Sequence, residues 1–222
     1  ETPGTARRAV SPSVPIAASS TSSPSRAASS WTRTSRRRTS ALRARVFNVL
    51  PAASFGMEKL FGLLDIVLSD ATPTAAVECR ATPRLLLNRA FVAEHCRADA
   101  DLLLLILHEL HHVILGHTRL FPRLTPADNL VFDAIINAML CQSVGRTAGT
   151  GLFTRLYDFN RFPERLLRPP PGWPHAFDAA LRPLPAGEAA VIRLLYGPPT
   201  GGATYLEIHE LLRRRLGEMP GG

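Results

Sequence analysis

Only three cysteines occur in the 222 residues, Cys79, Cys96 and Cys141, an odd number at wide spacings. That excludes a disulfide framework and a Cys-x-x-Cys zinc site. It fits reduced thiols, and so a cytoplasmic setting. The apolar run at 102–107 meets His108 and Glu109 after six residues, far short of a bilayer span, so no membrane is expected as a partner. The first residues lack an apolar core segment, which argues against a secretory signal. Residues 145–151, Gly-Arg-Thr-Ala-Gly-Thr-Gly, are not followed by Gly-Lys-Ser/Thr and do not form a P-loop.

The net charge of +8 points to a polyanionic partner until it is divided along the chain. Residues 1–45 hold nine arginines and one acid, whereas the remaining 177 residues hold 17 basic and 17 acidic side chains. The excess therefore lies wholly in a Ser/Arg/Pro-rich arm with little apolar periodicity, which is expected to be disordered. Arg33, Arg36, Arg37, Arg38, Arg43 and Arg45 could hold a nucleic-acid backbone. Trp31 is their one aromatic companion, so base stacking has little support. The neutral remainder argues against nucleic acid as the main partner.

What is present is concentrated in ten residues. Four of the seven histidines lie between His108 and His117, in His-Glu-Leu-His-His-Val-Ile-Leu-Gly-His. Within it, His108-Glu109-x-x-His112 is a metal-ligand spacing. On a helix the two imidazoles stand about 40° apart and reach one ion, with Glu109 beside them. A carboxylate there can take a proton from an attacking water and pass it to a leaving amine. The flanking sequence is apolar on every side, as in a buried helix, with Asp99 or Asp101 as N-cap and Gly116 at its end. A buried helix carrying four imidazoles and a carboxylate needs something inside to pair with them. His111, about 60° from His108 on the other side, is expected to face solvent or substrate rather than an ion.

A catalytic zinc site usually has three protein ligands and one open position. Two residues are candidates for the third. His117 would point about 140° away from His112 on a continued helix and reaches the ion only if the chain turns sharply at Gly116. Asp133 lies in a second apolar helix whose polar members Asn129, Asp133 and Asn137 recur every four residues as one stripe. That helix opens on Thr125 as cap, Pro126 and Asp128. A lone buried aspartate needs a cation or several donors. An antiparallel helix pair would bring it to His108 and His112, and it is the preferred candidate. The other residue could orient a ligand imidazole through its second nitrogen.

With these residues in place, the layout resembles the gluzincin arrangement of thermolysin-like enzymes. There a carboxylate about twenty residues after the second histidine is a ligand, and an acid four residues further supports a histidine. Asp133 and Asn137 would take those positions, both departures from the usual glutamate and aspartate. More closely, residues 47–142 resemble a bacterial HExxH metallopeptidase domain, the type often found ahead of a von Willebrand A-like domain and near MoxR-type ATPases. The resemblance implies a mostly helical α+β fold with a zincin-like core, one zinc ion, a peptide or protein substrate, and a MoxR-type AAA ATPase or von Willebrand A-like domain as partner.

The division expected along the chain is the arm at 1–45, the metallopeptidase-like domain at 46–144, an irregular linker at 145–185 and a helical hairpin at 186–222. Residues 57–68 read as an amphipathic helix, and 74–79 and 84–88 as strands around a turn at 81–83. Residues 91–96 read as a helical turn. The strand just before the metal helix could offer a free edge to an extended substrate, or be covered on both sides. Residues 152–162 read as partly helical. Helices are expected at 186–196 and 205–216, the latter capped by Thr204 and Glu207, with His209 and Glu210 on the surface. The pair is similar to the start of a winged helix, although an ordinary hairpin is favoured. Tyr157, Tyr205 and His117 are candidates to steady an oxyanion. The function expected is hydrolysis of a peptide bond with Glu109 as base. The alternatives are a non-catalytic metal-binding adaptor of a MoxR-type ATPase system and a nucleic-acid binder using the arginine arm.

Overall fold

A computed structural model of the chain describes residues 41, 44–45, 65–78, 84–117, 125–145, 149–198 and 205–217. Most of the 1–45 arm lies outside them, as do residues 57–64, the turn at 81–83, Thr204 and part of the 145–151 loop. Ala41, Ala44 and Arg45, the described residues of the arm, are helical. From residue 65 onward the described chain is mostly helical, with seven α-helices and one small mixed sheet. None of these helices is long and apolar enough to cross a membrane. Contacts group the chain into two compact units, Glu1–Ala93 and Glu94–Gly222.

The first unit holds the sheet. Strands β1 (Asp65–Leu68), β2 (Ala75–Glu78) and β3 (Arg84–Leu87) lie in the order β1-β3-β2. β3 runs parallel to β1 and antiparallel to β2. The helix expected over 57–68 is thus corrected at its end. Ile66 and Val67 are β-branched and sit better on a pleat than in a helical turn, and β3 supplies their ladder. The strands expected at 74–79 and 84–88 are present. β3, the strand before the metal helix, is covered on both edges and offers no free edge to a substrate. The helical turn expected at 91–96 is helix α1 (Arg89–His95). Asn88 starts it: its side-chain oxygen accepts from the Phe91 amide at 2.9 Å and its nitrogen donates to Thr72 O at 2.8 Å.

The second unit is built on two helices, α2 (Asp99–Ile114) and α3 (Pro126–Leu140). Residues 101–107, Glu109 and Leu110 of α2 are buried, so this helix is enclosed around most of its circumference. The expected aspartate cap is corrected. Ala98 holds the cap position, and Asp101, in the first turn, accepts the Ala98 amide at 2.8 Å and pairs with Arg155 at 2.6 Å. Gly116, at φ 67°, stops α2 in a conformation that costs glycine little, and the chain turns there. α3 opens as expected, with Thr125 Oγ1 accepting the Asp128 amide at 3.2 Å and Asp128 accepting the Thr125 amide at 2.9 Å. His108 meets Asn137 and His112 meets Asp133, so α2 and α3 run antiparallel.

Helix α4 (Gly151–Leu156) accounts for the expected partial helix at 152–162. The stretch at 163–185 is less irregular than its prolines imply, with a 3₁₀ turn (Glu164–Leu166) and a short helix α5 (Asp178–Leu181). It is tied down by side chains reaching main-chain oxygens. Tyr196 donates to Leu166 O at 3.3 Å, Trp173 Nε1 to Tyr196 O at 2.9 Å and Asn137 Nδ2 to Leu167 O at 2.8 Å. Helices α6 (Ala186–Tyr196) and α7 (Tyr205–Gly217) follow, both against α3. His209 is a further correction. It is buried, because Tyr205, His209, Leu212 and Leu216 share one face of α7, whereas Glu210 is exposed as expected.

The start of α3 and the middle of α7 are joined through Asp128. Its carboxylate accepts from Thr125 Oγ1 at 2.6 Å and from the Arg213 guanidinium. Burial alone would raise this carboxyl, but the Thr125 hydroxyl and amide and the Arg213 charge hold it below its ordinary value of 3.8. Its contribution to stability is therefore present above that value and lost as pH falls through the folded one. Asp128→Ala should cost about 2 kcal/mol in urea unfolding at pH 7. The deficit against wild type should shrink only below about pH 4; a deficit constant down to pH 3 would remove the carboxylate from the explanation.

Candidate metal centre

Three side-chain atoms converge between α2 and α3. His112 Nε2 lies 3.1 Å from His108 Nε2 and 3.2 Å from Asp133 Oδ1, and His108 Nε2 lies 3.5 Å from the same oxygen. These three can together hold a metal ion. Ligand atoms about 2.05 Å from a tetrahedral ion are separated by about 3.3 Å, which is the mean of what is found. The triangle has the dimensions of one tetrahedral face. Asp133 is 2% exposed, while the His108 and His112 side chains keep 13% and 12%. The group is thus sealed on the aspartate side and open on the histidine side.

The chemistry of the three atoms is as informative as their spacing. Asn137 fixes His108. Only the amide nitrogen of Asn137 can donate to Leu167 O, so its oxygen faces His108 Nδ1 at 2.8 Å and accepts that nitrogen's proton. A neutral His108 then presents a lone pair on Nε2, toward the other two atoms. Asp133 Oδ1 is enclosed and accepts no hydrogen bond of ordinary geometry. Lone pairs facing one another in a buried site are unfavourable unless a positive charge lies among them. The proton affinities have that sign. Burial alone would lower His108, yet Asp133 and Glu109 raise it; burial alone would raise Asp133, yet the two imidazoles lower it.

Glu109 is also buried. Desolvation pushes its carboxyl up, opposed by His108 and His112 and reinforced by the Asp133 charge. A carboxylate whose proton affinity is raised toward neutrality suits a general base better than an ordinary surface glutamate. His111 turns away: its Nδ1 lies 2.6 Å from Leu107 O on its own helix, and desolvation lowers its pKa. It is half-buried and outside the cluster.

No family model, curated protein or solved structure matches this chain.

The site is therefore read from its own geometry. His108, His112 and Asp133 are brought together with Glu109 beside them. The turn at Gly116 carries His117 to the other nitrogen of His112, with the two Nδ1 atoms 2.8 Å apart, and not to the Nε2 side where Asp133 sits. His117 is fully buried and stacked on Phe132 at 3.9 Å between ring centres. Desolvation lowers its pKa to about 3, so it is neutral. Its Nε2 meets the Tyr205 hydroxyl. Of the three oxyanion candidates, Tyr205 and His117 are thus hydrogen-bonded to each other, and Tyr157 is buried. Sequence reasoning missed the Leu167 carbonyl and the pairing of Tyr205 with His117. A main-chain oxygen in a proline-rich stretch leaves no signal. Tyr205 did leave one, since it falls on the buried face of α7.

If Asn137 sets the His108 proton, Asn137→Ala should weaken zinc binding about 10- to 100-fold, read by competition with a chromogenic chelator. Unchanged affinity would mean that His108 needs no such support.

Proposed function

We propose that this protein is a zinc-dependent metallohydrolase of the HExxH type, acting on peptide bonds. One observation carries the reading: His108, His112 and Asp133 present three ligand atoms at the spacing of a tetrahedral face, with Glu109 next along the same helix. Imidazole and carboxylate ligands in this number suit zinc and leave one position open, the pattern of catalytic rather than structural sites. Zinc held there would supply Lewis acidity, making water acidic near neutrality and polarising a carbonyl.

The remaining work falls to the chain's own residues. Asn137 keeps the His108 proton on Nδ1 and so keeps Nε2 free. Glu109 takes a proton from the attacking water and returns it to the leaving amine, a role that its raised proton affinity supports. Enclosure of Asp133 and Glu109 lowers the local dielectric and strengthens each of these interactions. The partial exposure of His108 and His112 marks the side from which a substrate would enter. The resemblance to bacterial HExxH domains agrees with this reading and adds its partner, a MoxR-type ATPase or a von Willebrand A-like domain.

Elemental analysis of the purified full chain should find about one zinc per molecule, lost in His112→Ala and in Asp133→Ala. Glu109→Gln should keep the metal while hydrolysis of a peptide library falls by about 10²- to 10⁴-fold. A chain that takes up no zinc when supplied with it would overturn the proposal. Stoichiometric zinc with no hydrolysis in the wild type would support the metal-binding adaptor instead.

A further inference from the structure

The C-terminal helix reaches the candidate metal centre through one side chain. Tyr205, at the first turn of α7, meets His117 Nε2 from 88 positions away in the chain. His117 in turn faces His112. The two rings also stack, 5.2 Å between centres, and Phe132 continues the stack to His209 at 4.7 Å. We propose that Tyr205 is a positioning residue of the metal centre, the outer end of a relay Tyr205–His117–His112 that links metal occupancy to the docking of the C-terminal helix.

The inference rests on the zinc reading above and follows from proton counting. Two Nδ1 atoms 2.8 Å apart share one proton. For His112 to offer its Nε2 lone pair to a cation, its proton must sit on Nδ1 and be donated to His117 Nδ1. A neutral His117 then carries its only proton on Nε2 and donates it to the Tyr205 oxygen. Tyr205, half-buried, keeps its own proton and turns it elsewhere. Without a cation the opposite order is also balanced. The Tyr205 hydroxyl donates to His117 Nε2, His117 Nδ1 donates to His112 Nδ1, and His112 Nε2 donates to Asp133 Oδ1. Each arrangement holds three protons on the same three residues, so the exchange has no net uptake: one proton leaves at His112 Nε2 as another is taken up at the Tyr205 oxygen. The direction of the hydrogen bonds reverses and both imidazoles change tautomer. Occupancy of the site therefore selects one direction, and whatever holds Tyr205 in place biases the site; the coupling is reciprocal.

The test uses the full chain as wild type, Tyr205→Phe, His117→Ala and the double variant. Tyr205→Phe keeps the ring and its stacking and removes only the hydroxyl. Zinc affinity by chelator competition should fall about 10- to 100-fold in His117→Ala and about 3- to 10-fold in Tyr205→Phe. The double variant should bind no more weakly than His117→Ala, because the hydroxyl acts only through that ring. Zinc should also slow amide exchange in α7 of the wild type, and do so less in Tyr205→Phe. Tyr205→Phe with affinity and α7 exchange like the wild type would overturn the proposal, as would strictly additive losses. So would a His117→Ala variant that loses the ion as completely as His112→Ala, since His117 would then be a ligand. In each of those cases the wild type still binds zinc and the metal reading stands. A wild type that binds none removes both.

Discussion

The structure depends on the enclosure of one oxygen atom. Asp133 Oδ1 lies inside the α2–α3 interface within 3.5 Å of two imidazole nitrogens, and no hydrogen bond of ordinary geometry satisfies it. Placing an ionised carboxylate there costs several kcal/mol. Residues 102–107 of α2 are also buried, six aliphatic side chains at roughly 2 kcal/mol each. The apolar surface of α2 is thus large enough to offset the polar group it encloses. The arrangement persists because the carboxylate gains a positive neighbour, whether proton or metal ion.

Around that oxygen, α3 acts as a hub whose successive faces meet different parts of the chain. Asp133 and Asn137 face α2, and Asn137 continues to the Leu167 carbonyl. Phe132 stacks on His117 and His209, and Asp128 holds Arg213 of α7. Leu167 and Arg213 come from 30 and 85 positions away. The proline-rich stretch and the C-terminal helix therefore support the site although neither contributes an atom to the central triangle. A helix pair alone would present the same three ligand atoms with no constraint on which imidazole nitrogens carry protons.

Local spacing made the centre of the site legible in the sequence. The His108–His112 interval and the four-residue recurrence of Asn129, Asp133 and Asn137 are helical periods, so each half could be placed on its own element before the halves were brought together. The cap at Thr125, the strands β2 and β3 and the last two helices were legible for the same reason. Other features were not, because tertiary packing decides them. Residues 65–68 carry apolar character that fits either period, and pairing with β3 makes them a strand. His209 looks like a surface residue until the face it shares with Tyr205, Leu212 and Leu216 is set against Phe132. For His117 the wheel gives a direction only if the helix continues. Gly116 ends the helix, and the nitrogen that His117 meets is then fixed by its stack on Phe132.

Burial has opposite consequences for the four acidic and basic groups at the centre, and the contrast follows from who stands beside each. Desolvation disfavours charge on all of them. For His117 the neighbouring imidazoles reinforce it and the Asp133 charge opposes it only in part, so the ring is held neutral. For Glu109 the imidazoles oppose it incompletely, leaving a carboxylate of raised proton affinity. For His108 and Asp133 the mutual attraction prevails over desolvation, so each favours the charged form of the pair. A proton and a divalent cation therefore compete for the same space between the two imidazoles and Asp133 Oδ1. Glu109, next to His108 on the same helix, is itself buried. The enclosure that creates the demand for a cation thus also raises the proton affinity of the Glu109 carboxyl.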